Sequence, residues 1–384
     1  MILGVAAALG GAALTLPVTA APGVPLPPPE LDAIPVVLLF DVGSGQQLYA
    51  KNEKLRFLPA SVTKVMTAYV AFELIARGKL ETWHRFTVNP ATYAQWQGQG
   101  TTMNLGRAES VSVDALLQGL TTISANDAAI VLAEGFAGSV RVWCELMNAE
   151  ARRLGMSDSH FATPNGWPDA GATYVSADDL VKLGEALVTR HPELYHRYFG
   201  KKSMTWNAFT AHNHDPNIGV VEGADGMKTG YTREAGYNYL GSAERGGRRL
   251  LMVLAKAQNG RERKAASRAL IEWGFAAWDA RPLFAPGALV GAAKVQGGDA
   301  REVNLTAPFA IHSVAPRGVP QSVSLRIVYS GPIAAPIASG ARIAELEIAA
   351  TGQIPRRVPL YAASSIGKAS LFDRLVNGLV GLWT

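Results

Sequence analysis

The sequence predicts an α+β domain, an antiparallel sheet flanked by helices, followed by a small all-β domain. Three observations carry this reading. Strand-like runs at residues 36–50 and 237–257 bracket a series of helical periodicities. From residue 281 to 362 the composition turns to Pro, Gly and Ala, with short Val, Leu and Ile runs and no long helical period. Across the 384 residues, 48% are hydrophobic and 17% charged, enough apolar surface for two or three domains and too much for a disordered chain.

The elements follow in order. After Pro35, Val36 to Phe40 form an unbroken apolar run that reads as a buried strand. Gly43, Ser44 and Gly45 make a turn, and Gln47 to Ala50 return beside it. After Pro59 a helical pattern places Val62, Val65, Met66, Tyr69 and Val70 on its apolar face and closes at Gly78. Further helices are expected at Val113 to Leu120, Ala128 to Phe136 and Val140 to Leu154. Another begins at Ser176, where Ser176 and Asp179 have capping spacing. Tyr237 to Ala243 and Leu250 to Ala257 form a hairpin turning at Gly246 and Gly247, and a helix from Glu262 to Phe275 closes the domain.

Both ends carry apolar segments. Residues 1–29 hold no ionisable side chain: an apolar run from Ile2 to Leu16, small residues through Ala21, then prolines from Pro25 to Pro29. The run is shorter than the roughly 20 residues of a spanning helix and is followed by a site suited to cleavage after Ala20, as in an export signal. No Lys or Arg precedes it, which is atypical for such a signal; a buried core segment is the other reading. At the C-terminus, Leu371, Phe372, Leu375, Val376, Leu379, Leu382 and Trp383 fall on one helical stripe opposite Asp373, Arg374 and Asn377. Such a helix either lies in a membrane interface or docks on a domain.

Charge and cysteine content exclude several classes. The balance of 36 basic and 31 acidic residues, +5 overall, is mild and scattered, which argues against nucleic acid as a partner. One cysteine, Cys144, supports neither an internal disulfide nor a multi-cysteine zinc site. His212 and His214 have no third ligand at a diagnostic spacing, so no metal or other cofactor is expected.

Three short motifs carry chemistry. Ser61 and Lys64 stand three residues apart at the start of a helix, so the amine can sit beside the hydroxyl. Lysine serves as a base only when burial or neighbouring positive charge leaves it neutral. The helix N-terminus favours negative charge developing at Ser61. The pattern alone is weak, since Ser365 and Lys368 repeat it near the tail. Ser124 and Asn126, two apart on a loop, can point a hydroxyl and an amide into one cleft. Lys228, Thr229 and Gly230 precede the hairpin: a cation, a hydroxyl for a carboxylate, and a backbone that a ligand can approach closely.

The three motifs in this order resemble those of the low-molecular-mass penicillin-binding proteins, specifically the serine D-alanyl-D-alanine carboxypeptidases. The resemblance covers nearly the whole chain and implies a penicillin-binding/β-lactamase-like catalytic domain. It implies a signal peptide at 1–20, the catalytic domain at 21–280, a β-rich domain at 281–363 and an amphipathic anchor helix at 364–384. Ser61 would be the nucleophile, acylated by the penultimate D-alanine of a peptidoglycan stem peptide ending in D-Ala-D-Ala, with Lys64 as its base. Ser124, Asn126 and Lys228 would complete the proton network and position the substrate. The amides of Ser61 and Tyr231 would form the oxyanion hole. Thr229 and Arg261, with Gly230 between strand and ligand, would hold the terminal carboxylate. β-Lactams would act as covalent inhibitors. The protein would be exported and attached peripherally to the periplasmic face of the inner membrane through its C-terminal helix.

Two departures from the family stand out. Members often carry an Asn-His-Asn-Arg stretch before the Lys-Thr-Gly strand; here His212, Asn213, His214, Asp215 and Pro216 bring no Arg. Class A β-lactamases hydrolyse the acyl-enzyme with a Glu, whereas Phe161 to Tyr174 contain Asp169 but no Glu, so fast penicillin hydrolysis is not expected. The alternatives are a DD-endopeptidase or β-lactamase on the same scaffold, or a non-catalytic cell-wall-binding protein.

Overall fold

The computed structural model describes residues 24–350 and 355–370. The expected signal peptide at 1–20 and residues 371–384 of the expected anchor helix at 364–384 lie outside the described residues. Among those described, no helix is long and apolar enough to cross a membrane.

The first strands are β1 (Val36–Asp41) and β2 (Gln46–Lys51), as the apolar run predicts, joined by the turn through Ser44. After Pro59 the chain makes a 3-10 turn, Ala60–Thr63, and only then the helix α1 (Lys64–Ala76). The sequence predicts one continuous helix here. The difference favours the chemistry, because residues i and i+3 eclipse one another on a 3-10 turn. The helical region continues with short β3 (Arg85–Thr87), α2 (Pro90–Trp96), short β4 (Ser110–Ser112) and α3 (Val113–Gln118). A π turn at Gly119–Ile123 leads into α4 (Asn126–Ala137), then α5 (Val140–Arg153). Helix α6 (Ala177–Arg190) is capped by the Ser176 hydroxyl, which accepts from the Asp179 amide at 3.2 Å. Helix α7 (Pro192–Tyr198) and the hairpin β5 (Ser203–Trp206) and β6 (Phe209–His212) follow.

Strands β7 (Ala224–Thr232), β8 (Gly236–Arg245) and β9 (Arg248–Ala257) complete a five-stranded antiparallel sheet in the order β2-β1-β9-β8-β7, and α8 (Gly260–Ala276) packs on it. Both faces of this sheet are covered. Val36, Leu38, Leu251 and Val253 face α1 and the helices around it, while Val37, Leu39, Leu250 and Met252 face α8. Burial on both sides explains the unbroken apolar runs, since period-two alternation then joins two cores rather than a core and solvent. Strand β7 is an edge, so alternate N–H and C=O groups along it have no strand partner.

The remaining described residues form an all-β domain: β10 (Trp278–Phe284), β11 (Leu289–Gln296), β12 (Glu302–Thr306), β13 (Ile311–Pro316), β14 (Val323–Val328), β15 (Ile333–Ala334), β16 (Arg342–Ala350) and β17 (Arg356–Ala362). A core of its own, including Leu305, Leu346, Val358 and Leu360, holds it together. Residues 364–370 are not helical: Ile366 bridges to Ile337 and Lys368 to Gly298, so this stretch belongs to the β domain. A buried polar junction joins the domains. Asp41 accepts from His312 Nε2 at 2.6 Å and from Arg248 Nε at 2.7 Å, and Arg248 also donates to the Trp278 carbonyl.

Candidate active site

Three segments converge on the turn that carries Ser61. Ala60 adopts φ +48°, in the left-handed region, and so presents Ser61 at the surface of the turn. The loop Pro164 to Trp167 presses onto it. A Cβ on Gly166 would stand 1.9 Å from the Ala60 carbonyl oxygen, and its φ is +73°, so only glycine fits. Thr67 on α1 donates to the Pro164 carbonyl at 2.6 Å and stitches this loop down.

The second segment is the π turn after α3, a distortion that recurs at functional sites. It ends in Ser124 at φ +69°, and Asn126 opens α4 rather than lying in a loop. The Asn126 amide donates to the Thr101 carbonyl at 2.8 Å, and its side-chain Nδ2 donates to the Gln99 carbonyl at 3.0 Å. Its Oδ1 is thereby turned toward Lys64. The third segment is the edge strand β7, which bears Lys228, Thr229 and Gly230 and packs along the Ser61 turn.

Lys64 is 0% exposed, and its Nζ has three neighbours: Ser61 Oγ at 2.9 Å, Asn126 Oδ1 at 2.8 Å and the Asn165 carbonyl at 2.8 Å. Burial holds its pKa well below the ordinary value, the Lys228 charge lowers it further, and Asp127 opposes. A neutral amine has two hydrogens and one lone pair. The two carbonyl oxygens can only accept, so they take both hydrogens, and the lone pair is left for the Ser61 O–H to donate to.

Lys228 is also buried, and its amine donates to the Thr229 carbonyl at 2.9 Å. Burial pushes its pKa down to about 7 against the pull of Asp215. Asp215 in turn accepts from the Tyr239 hydroxyl at 2.9 Å.

The structure brings Ser61, Lys64 and Asn126 into direct contact, with Lys228 close enough for its charge to act on Lys64. Ser124 lies two residues before Asn126 and is buried. Thr229 is buried on β7, and Tyr231 is exposed with its ring 4.1 Å from that of Tyr237. Arg261 sits exposed in the first turn of α8 and makes no hydrogen bond or ion pair with any described residue. It is Arg263, two positions beyond, whose charge reaches Lys228 and Asp215. The sequence alone also misses Asn165, Asp127 and Asp215. Ser365 and Lys368, which repeat the first motif's spacing, lie in the β domain.

A serine hydroxyl held against a buried amine whose pKa burial lowers, beside an open sheet edge, defines a serine hydrolase of the acyl-transfer kind. The comparisons agree. Residues 24–259 match the D-alanyl-D-alanine carboxypeptidase family, and residues 278–368 match the C-terminal domain of penicillin-binding protein 5. The D-alanyl-D-alanine carboxypeptidase DacD of Escherichia coli (strain K12) is 34% identical over 354 residues, 91% of this chain and 90% of that protein. The crystal structure of penicillin binding protein 5 from Haemophilus influenzae superposes with a TM-score of 0.70 at 29% identity, covering 91% of this chain and 100% of that one. That of penicillin binding protein 6B from Escherichia coli gives 0.68 at 29% identity, covering 88% and 98%. The chain belongs to the D-alanyl-D-alanine carboxypeptidase family, the low-molecular-mass penicillin-binding proteins.

Proposed function

We propose that this protein is a serine-type carboxypeptidase that removes the terminal D-alanine from peptidoglycan stem peptides. Ser61 attacks the carbonyl carbon of the penultimate D-alanine while its proton passes to Lys64. The C–N bond then breaks, the proton reaches the leaving amine through Lys64 and Ser124, and an ester on Ser61 remains. Water hydrolyses that ester and restores the serine. The carrying observation is the set of three contacts at Lys64 Nζ: two carbonyl acceptors at 2.8 Å each, which take both hydrogens of a neutral amine, and Ser61 Oγ at 2.9 Å.

The substrate backbone lies along the free edge of β7 as an added strand. Lys228, Thr229 and Arg261 serve its terminal carboxylate, Gly230 lets it approach, and the amides of Ser61 and Tyr231 receive the oxyanion. Two such donors are worth a few kcal/mol to the transition state. β-Lactams present the same carbonyl and acylate the same oxygen. We further propose that the protein is exported and held at the periplasmic face of the inner membrane by residues 370–384.

Mass spectrometry after penicillin treatment tests this. The expected adduct is on the peptide containing Ser61, and folded Ser61→Ala carries none. An adduct elsewhere, or one that survives that substitution, rejects the site. Release of free D-alanine, compared with cleavage of cross-linked dimers, separates carboxypeptidase from endopeptidase.

A further inference from the structure

Between the two domains lies a cavity of about 640 Å3, inside the range of roughly 300–1,000 Å3 that small-molecule sites occupy. It shares none of the residues around Ser61. Helix α6 contributes Thr189 and Arg190, and the β domain contributes Ser339, Arg342 and Tyr361. Its charged side chains are both arginines, one from each domain, and no Asp or Glu lines it among the described residues. Arg190 is the last residue of α6, where the helix dipole favours a cation. Its Nη1 donates to the Tyr69 hydroxyl at 3.2 Å, which spends one of five N–H donors and fixes the side chain against α1. Arg342 holds Glu345 at 2.8 Å in a solvent-exposed pair, a contact of low energy that a ligand can exchange.

We propose that this cavity is a second, non-catalytic binding site that takes the C-terminal carboxylate of a trimmed stem peptide between Arg190 and Arg342. The choice of occupant rests on the carboxypeptidase reading: an enzyme that releases D-alanine works among peptides that each end in a free carboxylate. A guanidinium fork matches a planar carboxylate with two parallel N–H···O bonds. The cavity is too large for an inorganic anion alone, and Pro192, Ala307 and Pro308 offer apolar wall for the body of a peptide. Wall polymer held here would raise the local concentration of further stem peptides at Ser61. Glu185, earlier on α6, is the built-in competitor for the two arginines; it feels Arg190 on its own helix, Arg342 and Glu345 on β16, and Tyr361 on β17. Burial raises its pKa to about 7, against the pull of Arg342 and Arg190. Below that pH it is uncharged and leaves both guanidinium groups to the ligand; above it, its carboxylate competes.

Isothermal titration calorimetry on the penicillin-acylated protein, freed of excess drug, tests this with Ser61 blocked. The probes are Nα,Nε-diacetyl-L-lysyl-D-alanine, its C-terminal amide, and glycerol 3-phosphate. The expected result is that the free acid binds more tightly than the amide, and that Arg342→Gln weakens it about fivefold, the size of one exposed ion pair. Binding of the acid weakens from about pH 6 to about pH 8, and Glu185→Gln removes that difference. Equal binding of acid and amide, binding that Arg342→Gln leaves unchanged, or a pH effect that survives Glu185→Gln overturns the site, while the acylated Ser61 still upholds the carboxypeptidase. Glycerol 3-phosphate binding as tightly as the acid makes the ligand a phosphate headgroup and overturns the peptide assignment. A protein that penicillin does not acylate overturns the carboxypeptidase reading and this proposal with it.

Discussion

Gly230 leaves no room for a side chain between strand β7 and Ser61: a Cβ there would stand 3.1 Å from the Ser61 amide nitrogen and 2.4 Å from the Pro59 carbonyl oxygen. The atoms it would meet are backbone, which cannot swing aside. Gly230→Ala is therefore expected to push β7 away from the 3-10 turn and open the proposed oxyanion hole. Losing one such donor costs about a hundredfold in rate. Acylation by a fluorescent penicillin should slow by that order while the protein stays folded by circular dichroism. Unimpaired acylation would mean that strand and turn are not held as tightly as the structure shows.

The pH dependence of acylation tests the proposed role of Lys64 as the base. Only the neutral amine can take the serine proton, so the rate rises with pH as Lys64 loses its own. The Lys228 charge is one cause of the lowered Lys64 pKa. Removing it with Lys228→Gln lets that pKa rise, and the acid limb of the profile moves to higher pH. The plateau will also fall, because Lys228 is proposed to bind substrate; the position of the limb is the diagnostic quantity. A limb that stays put or moves to lower pH contradicts the coupling.

Membrane attachment is tested by truncation. The apolar stripe that the sequence predicts from Leu371 to Trp383 is the proposed anchor. Deleting residues 370–384 should release the protein into the soluble fraction with penicillin labelling intact, as the proposed catalytic residues are far from this segment in sequence. A truncated protein that still sediments with membranes would move the anchor elsewhere.

What was legible in the sequence was what is local. Ser61 with Lys64, Ser124 with Asn126, and Lys228 to Gly230 each fit within four residues, so spacing alone could pair them. The strands of the sheet were readable because apolar runs such as Val36 to Leu39 are buried on both faces. The rest depends on contacts across the chain. Asn165 meets Lys64 from 101 residues away, through a backbone carbonyl that any residue type would supply. A spacing of three likewise fits a 3-10 turn and an α-helix equally well. In the first turns of α8 the family resemblance points to Arg261, and only packing brings out Arg263, whose charge reaches Lys228.

The junction between domains yields the last prediction. Asp41 is 0% exposed and receives Arg248 and His312 together, with Ser44 donating its amide and hydroxyl at 3.0 and 2.9 Å. Burial raises its pKa, but His312 and Arg248 outweigh that and leave it below 3.8. A depressed carboxyl contributes stability that is present above its unfolded value and lost as pH falls through the folded one. Asp41→Asn keeps the shape but leaves the Arg248 charge buried without its counter-ion, which costs about 3 kcal/mol. In urea unfolding near neutral pH the variant should be less stable by that amount. The gap should narrow as pH is taken below 3.8, where the wild-type carboxyl takes up its proton. His312 comes from 271 residues away, so the loss should also loosen the β domain, seen as earlier proteolysis after residue 276. A variant as stable as the wild type at neutral pH would show that the shape of this junction, not its charge, holds the domains together.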